Sequence, residues 1–337
     1  MTPTQTTTRA APIPTPRPIR TIQVVLPSGR PPVGALEAGI DWLRARGFEV
    51  RLPLQDAPAA PQAFLAATDL ARAEGLAFAL SADDVDLVWC GRGGSGSLRT
   101  LAALDRLVRH TDGHRDADTA PGGGPPRPEP PPPLAARPRL PLMGLSDATP
   151  LLLARQSVGG VAVHGPVVTM LPRLDEASVA ALLAWLEAPN ALPTLRALDG
   201  APRLGTSVQG PLVAGNLAML AASCGTPEQP RLDGCVLLIE DINEPDWRLD
   251  RFCAQLHRSG ALAGLAGLAI GDFDAASPDG PSEAVLLDWA ARLGVPALCG
   301  LPVGHGARCH PVALGLTYRL DVEAGALRPL LPAPGER

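Results

Sequence analysis

Three polar residues occur along the sequence in the order serine, glutamate, histidine, two of them after apolar runs and the third in a loop-like segment. Ser146 follows the run Leu140–Leu145, and Glu240 follows Cys235–Ile239. His305 stands between two glycines in the loop-like segment 300–306. A serine with a histidine base, and a carboxylate that orients the histidine, can attack a carbonyl carbon. This chain order is also that of hydrolase triads built on α/β sheets, so the sequence predicts an acyl-transfer site.

Each of these residues also has a plain structural interpretation. Ser146 could be a turn residue, although Thr149 with Pro150 behind it is the better cap for the helix that follows. Glu240 opens an acidic run that could be a solvated loop, and the later carboxylates of that run remain alternatives for orienting a histidine. The glycine-flanked loop of His305 suits a general base. The other histidines have no such context, namely His110, His114, His164, His257 and His310.

A glycine-rich loop, Gly91–Gly96, lies between a predicted strand and a predicted helix. It matches the dinucleotide-binding pattern G-x-G-x-x-G, but the acidic strand end expected about 20 residues later is missing. A plain turn is the second interpretation. The third is an anion or oxyanion cradle made of free backbone N–H groups, with Arg92 beside it.

The composition narrows the class of function. The net charge is −5 and aromatic residues make up 3% of the chain, so a nucleic-acid partner is not expected. All 29 basic residues are arginines, which excludes lysine-based catalysis. No metal-ligand spacing occurs, and we expect neither a metal nor an organic cofactor. Without a signal-peptide core or a bilayer-length apolar run, we expect a cytoplasmic protein with no membrane partner.

The order of predicted elements indicates an α/β fold. Strand-like runs alternate with helical periodicity, as in βαβ units with a mainly parallel sheet. We expect a disordered tail over 1–20, an N-terminal α/β domain over 21–172 and a linker over 173–205. A smaller C-terminal α/β domain is expected over 206–330. Asp112–Pro138 is rich in proline and glycine, which predicts a flexible insertion within the N-terminal domain.

Several segments together resemble the LD-carboxypeptidase family, also called muramoyltetrapeptide carboxypeptidases. The resemblance covers Thr21 to Asp321 apart from the insertion. The matching segments are Val24–Gly29 (VVLPSG), Arg92–Gly96 (RGGSG), Gly144–Thr149 (GLSDAT), His164–Pro166 (HGP), Gly215–Leu220 (GNLAML), Glu240–Pro245 (EDINEP), Arg248–Leu256 and Gly304–His305.

The resemblance implies a Ser146–Glu240–His305 triad in a cleft between the two domains. It implies removal of the terminal D-alanine from the murein tetrapeptide, and a homodimer. Within the family, a self-immunity peptidase that cleaves aminoacyl-nucleotide conjugates is the alternative. Outside the family, the loop Gly91–Gly96 leaves a non-catalytic dinucleotide-binding protein as a second alternative. The backbone N–H groups of Asp147, Gly93 and Gly94 are candidates for the oxyanion hole. Arg92 is a candidate for binding the substrate carboxylate.

Overall fold

The structure is a computed structural model that describes residues 17–52, 57–111, 132–274 and 282–330. In these ranges the strands form two sheets with helices packed against them, so the predicted α/β class is confirmed. None of the helices in these ranges is long and apolar enough to span a membrane.

The first sheet contains the nucleophile segment. In the described part of the chain it has six strands in the order β12-β5-β4-β3-β1-β2, and all but β12 run parallel. Most of their residues are buried on both faces, as expected for a parallel sheet covered by helices. The strands are β1 (Thr21–Val25), β2 (Glu49–Arg51), β3 (Leu87–Cys90), β4 (Leu142–Gly144), β5 (Ala162–His164) and β12 (Val312–Ala313).

The second sheet contains the acidic segment. Its parallel centre, β8-β9-β10-β11, is extended on both sides by antiparallel strands, to eight strands within the described ranges. The strands are β6 (Leu195–Arg196), β7 (Arg203–Leu204), β8 (Val208–Asn216), β9 (Val236–Ile242), β10 (Gly267–Asp274), β11 (Ala297–Leu298), β13 (Thr317–Asp321) and β14 (Ala326–Pro329).

The helices pack their apolar faces on these sheets. In the first helix, for example, Ile40 and Leu43 recur at helical spacing and are buried, while the opposite face is charged. The helices are α1 (Ala35–Arg44), α2 (Asp69–Ser81), α3 (Ser97–Thr111), α4 (Pro132–Ala135), α5 (Thr149–Ser157), α6 (Glu176–Glu187), α7 (Leu217–Ala222), α8 (Asp246–Arg258) and α9 (Glu283–Leu293). Two 3₁₀ helices are Ser146–Ala148 and Val168–Arg173.

Each of the two predicted flexible segments is packed at its C-terminal end, where the structure describes it. Residues 1–16 of the predicted tail and 112–131 of the predicted insertion lie outside the described residues. Ile19, within the predicted tail, is buried, and its N–H donates to the Leu186 carbonyl at 2.8 Å. Leu134, within the predicted insertion, is also buried. The buried Arg155 guanidinium donates to the carbonyls of Leu134 and Ala136, which fixes the chain there.

The predicted linker over 173–205 is part of the packed structure. It contains α6 and the edge strands β6 and β7 of the second sheet. These two strands are only two residues long each, so the sequence contains no alternating run that would reveal them.

The chain crosses between the two sheets three times in its described part. It first passes from the first sheet to the second through 173–205. It then returns, because β12 pairs with β5 and the Leu314 N–H donates to the Ala162 carbonyl at 2.9 Å. The next residue, Gly315, donates to the Leu212 carbonyl at 2.7 Å, and β13 rejoins the second sheet. The predicted C-terminal domain therefore supplies a strand to the N-terminal sheet.

Candidate active site

Ser146 occupies a sharp turn between a strand and a helix. β4 ends at Gly144, the 3₁₀ turn Ser146–Ala148 follows at once, and α5 begins at Thr149. The φ angle of Ser146 is 63°, in the left-handed region that residues with a Cβ seldom adopt. Such a conformation costs about 1–3 kcal/mol and is maintained by the surrounding packing. It is the geometry of a nucleophile elbow, which presents the hydroxyl at the sheet edge.

Gly93 lies directly against this serine. A Cβ added to Gly93 would be 2.8 Å from Ser146 Cβ and 3.1 Å from Ser146 Oγ, so only glycine fits. The Gly93 carbonyl accepts a 2.9 Å hydrogen bond from the N–H of Gly29, which fixes the loop from the other side. The glycine-rich loop is therefore part of the same site as Ser146.

Asp147 connects the elbow to the glycine-rich loop. Its carboxylate is buried and accepts a 2.8 Å hydrogen bond from the Ser97 N–H at the start of α3. Burial raises the pKa of this carboxyl, although backbone donors such as Ser97 oppose the rise. The Asp147 side chain thus has a structural role, which is separate from the predicted role of its backbone N–H.

Two arginines support the loops around Ser146. Arg92 donates to the backbone carbonyl of Arg30 and lies next to Gly94, where an added Cβ would be 3.6 Å from Arg92 Nε. The buried Arg72 side chain joins three separate segments of the chain. No pattern in the sequence predicted this role for Arg72. Its side chain donates to the carbonyls of Pro27, Ala67 and Gly96, to Thr100 Oγ1 and to Asp69.

Glu240 and His305 form a partly buried hydrogen-bonded pair. His305 Nδ1 lies 2.6 Å from Glu240 Oε2, and the Glu240 side chain has no solvent exposure. Burial lowers the pKa of His305, but the charge of Glu240 and its hydrogen bond outweigh burial, so the net pKa is raised. Glu240 lies inside β9 and not after it, which corrects the predicted end of that strand at Ile239.

The structure distinguishes Glu240 from the other carboxylates of the acidic run. Asp241 accepts hydrogen bonds from Asn216 Nδ2 at 2.8 Å and from the Ala218 N–H at 2.9 Å. Burial raises the pKa of Asp241 to about 6. Glu244 pairs with Arg248 at 2.8 Å. Among these three carboxylates, Glu240 is therefore the one bonded to His305.

Thr149 has a different role from the predicted helix cap. Ala148 occupies the cap position of α5 and Thr149 lies inside the helix. The Thr149 hydroxyl instead accepts a 3.0 Å hydrogen bond from the N–H of Asn216, the last residue of β8. Asn216 pairs with Glu240 across β8 and β9, so this bond connects the elbow helix to the strands that position the carboxylate.

His164, for which the sequence predicts no role, lies at the same place. It ends β5, where it pairs with Gly144 of β4, and its side chain is fully buried. His164 Nε2 is 3.9 Å from Glu240 Oε1. A sequence signal for His164 does exist, because the residue ends β5, the strand next to β4. The carboxyl ends of parallel strands meet at one edge of the sheet, so His164 could have been placed near Ser146.

The elbow therefore ends beside the Glu240–His305 pair. Gly144 precedes Ser146 by two residues and neighbours His164, which in turn neighbours Glu240. In the described ranges, no direct hydrogen bond joins Ser146 to His305. Serine–histidine contacts are often long before the substrate is bound. The arrangement can thus support nucleophilic attack on a carbonyl once Ser146 and His305 come into hydrogen-bond contact.

Two family models match the chain. The model of the LD-carboxypeptidase N-terminal domain matches residues 22–116, and that of the LD-carboxypeptidase C-terminal domain matches residues 209–320. Glu240 and His305 lie inside the second range, whereas Ser146 lies between the two. The resemblance derived from the sequence motifs is confirmed by these matches.

Individual proteins match over most of the chain. The murein tetrapeptide carboxypeptidase of Pseudomonas aeruginosa is 31% identical over 323 residues, which cover 89% of this chain and 92% of that protein. The crystal structure of the muramoyltetrapeptide carboxypeptidase of Oxalobacter formigenes has a TM-score of 0.70 and 26% identity, and covers 91% of this chain and 97% of its own. The microcin C7 self-immunity protein has a TM-score of 0.75 at 17% identity, over 95% of this chain and 98% of its own, which shows a shared fold.

Proposed function

Because the chain belongs to the LD-carboxypeptidase family of serine peptidases, we propose that it removes the terminal D-alanine from murein tetrapeptides in the cytoplasm. The partly buried hydrogen bond between His305 Nδ1 and Glu240 Oε2, 2.6 Å long, is the observation that carries the catalytic part of this proposal. The names of the relatives from Pseudomonas and Oxalobacter support the choice of substrate.

The proposed reaction begins with attack by Ser146 Oγ on the carbonyl carbon that joins an L-configured residue to D-alanine. The Nε2 atom of His305 accepts the serine proton, while Glu240 orients the ring through Nδ1. His305 then donates this proton to the amine of D-alanine, which leaves as the C–N bond breaks. A water molecule hydrolyses the acyl-serine ester by the same steps and restores the Ser146 hydroxyl.

The negative charge of the tetrahedral intermediate requires hydrogen-bond donors. We assign this role to the backbone N–H of Asp147 and to the N–H groups of Gly93 and Gly94. The close approach of Gly93 to Ser146 supports the assignment, because oxyanion donors lie about 3 Å from the reacting oxygen. Arg92 is proposed to bind the carboxylate of the terminal D-alanine, since its guanidinium lies beside Gly94 at the same loop.

The direct experiment is to measure release of D-alanine from purified murein tetrapeptide by the wild-type protein and by Ser146→Ala and Ser157→Ala. Ser157 is exposed at the end of α5 and serves as the matched control. We expect release by the wild type and the control, and a loss of about 10³-fold or more in Ser146→Ala. Full activity of Ser146→Ala would exclude Ser146 as the nucleophile.

A wild-type protein that releases no D-alanine would contradict the proposed substrate. Aminoacyl-nucleotide conjugates are the next substrates to assay, because the family resemblance includes self-immunity peptidases. Absorbance at about 260 nm from bound nucleotide, without hydrolysis of either substrate, would instead favour a dinucleotide-binding protein that uses the loop Gly91–Gly96. The resemblance also implies a homodimer, which sedimentation velocity tests independently of the substrate.

A further inference from the structure

The second oxygen of Glu240 has a buried histidine next to it. Glu240 Oε2 is bonded to His305, whereas Glu240 Oε1 is buried and has no hydrogen-bond partner among the described residues. Both ring nitrogens of His164 are also buried without a partner in that part of the chain. Unsatisfied buried polar atoms are uncommon in folded proteins, and two neighbouring groups of this kind suggest that they serve each other.

The geometry allows these two groups to bond. His164 Nε2 is 3.9 Å from Glu240 Oε1, so an approach of about 1 Å would bring them to hydrogen-bond distance. The side chains of both residues have no solvent exposure, so water does not compete freely for either group. His164 ends β5 and Glu240 lies near the end of β9, so both side chains project from strand ends that face each other across the two sheets.

The charge state of His164 decides which group donates. Burial lowers the pKa of His164, and the attraction of Glu240 only partly offsets this effect, so the net pKa is about 4. At neutral pH the ring is therefore uncharged, with one nitrogen that donates and one that accepts. An ionised carboxylate oxygen only accepts, so the nitrogen facing Glu240 must carry the proton.

We propose that neutral His164 carries its ring proton on Nε2 and donates it in a hydrogen bond to Glu240 Oε1. This inference rests on the proposed triad and makes His164 a positioning residue that touches neither substrate nor serine. The carboxylate of Glu240 is then bound at both oxygens, by His164 on one side and by His305 on the other. Its plane is fixed, so Oε2 stays aimed at His305 Nδ1.

The test compares His164→Leu, which removes the donor, with His164→Gln, whose side-chain amide places a donor at a similar reach. We expect kcat for D-alanine release to fall about tenfold to hundredfold in His164→Leu, with KM within about twofold of the wild type. His164→Gln should recover most of kcat. Equal losses in both variants at unchanged melting temperature, or wild-type kcat in His164→Leu, would overturn the proposal.

A second measurement needs no variant to be active. Nitrogen-15 NMR of the histidine rings in the wild-type protein reports which nitrogen carries the proton, and the His164→Gln spectrum identifies the His164 signals. We expect the proton of His164 on Nε2. A proton on Nδ1, or a charged ring at neutral pH, contradicts the inference. Absence of D-alanine release by the wild type, in contrast, contradicts the proposed function. The NMR result then still tests the proton position on His164, independently of the substrate.

Discussion

The N–H of Asn216 donates a 3.0 Å hydrogen bond to the hydroxyl of Thr149, and this bond joins the helix behind Ser146 to the strand beside Glu240. Both residues are buried. The methyl group of Thr149 also packs closely against β8, because a Cβ on Gly215 would be 2.5 Å from Thr149 Cγ2. One side chain that takes no part in the chemistry therefore connects the element behind the nucleophile to the strand pair that carries the carboxylate.

Thr149→Val tests this connection. The substitution keeps the shape of the side chain but leaves the buried N–H of Asn216 without its acceptor, at a cost of about 1–3 kcal/mol. We expect a lower melting temperature and a lower kcat, measured by calorimetry and by D-alanine release. Thr149→Ser, which keeps the hydroxyl, is the control and should retain more of both. A Thr149→Val variant as stable and active as the wild type would show that the bond is dispensable.

The pH dependence of the reaction should report the Glu240–His305 pair. Glu240 raises the pKa of His305, so kcat/KM should rise with pH through a pKa above the ordinary histidine value of about 6.5. In Glu240→Gln the charge that raises the pKa of His305 is lost, while the burial that lowers this pKa remains. The acid side of the remaining kcat/KM profile should therefore move to lower pH. The rate should also fall by about 10³–10⁴-fold, because the ring loses its orientation.

Glu244→Gln is the matched control for this profile. Glu244 belongs to the same acidic run but pairs with Arg248 and not with His305. We expect its acid limb to coincide with that of the wild type. A shift in Glu244→Gln as large as that in Glu240→Gln would contradict the assignment of Glu240.

Gly93→Ala should inactivate the protein without unfolding it. The new methyl group would lie 2.8 Å from Ser146 Cβ, so the serine or the loop must move by a few tenths of an ångström or more. A displacement of about 1 Å can reduce kcat about a hundredfold, so we expect a loss of up to that size. Gly165→Ala is the control, because its Cβ would meet its nearest neighbours at 3.4 Å, which is ordinary contact. Equal kcat in the two variants would argue against close packing at Ser146.

The left-handed backbone at Ser146 predicts an unusual order of stabilities. Ser146→Gly and Ser146→Ala both remove the hydroxyl, but only glycine adopts a φ of 63° without steric cost. We expect the glycine variant to be more stable to unfolding by about 1 kcal/mol, as measured in urea. At the helical position Ser157 the order should reverse, with alanine the more stable. Equal stabilities at position 146 would mean that the elbow is unstrained in solution.

The sequence predicted the parts of the site that come next to apolar runs. Ser146 follows the run that contains β4, and Glu240 follows the apolar part of β9 and lies inside that strand. The order of the two residues along the chain matched a known arrangement. The role of Thr149 was missed because a local cap preference was applied where a contact 67 residues away decides the geometry. His164 was missed because its partner belongs to the other sheet. Contacts of this kind follow from sheet order, which the spacing of residues along one chain does not encode.

The return of Val312–Ala313 to the first sheet also limits how the site can open. A protein whose two lobes share one connecting segment can bend there as a hinge. Here the pairing of Val312 with His164, together with the step from Leu314 to Gly315 between the sheets, joins the lobes again next to the catalytic groups. Wide separation of the lobes would require breaking that pairing, so this second connection restrains movement of the two sheets relative to each other beside the catalytic groups.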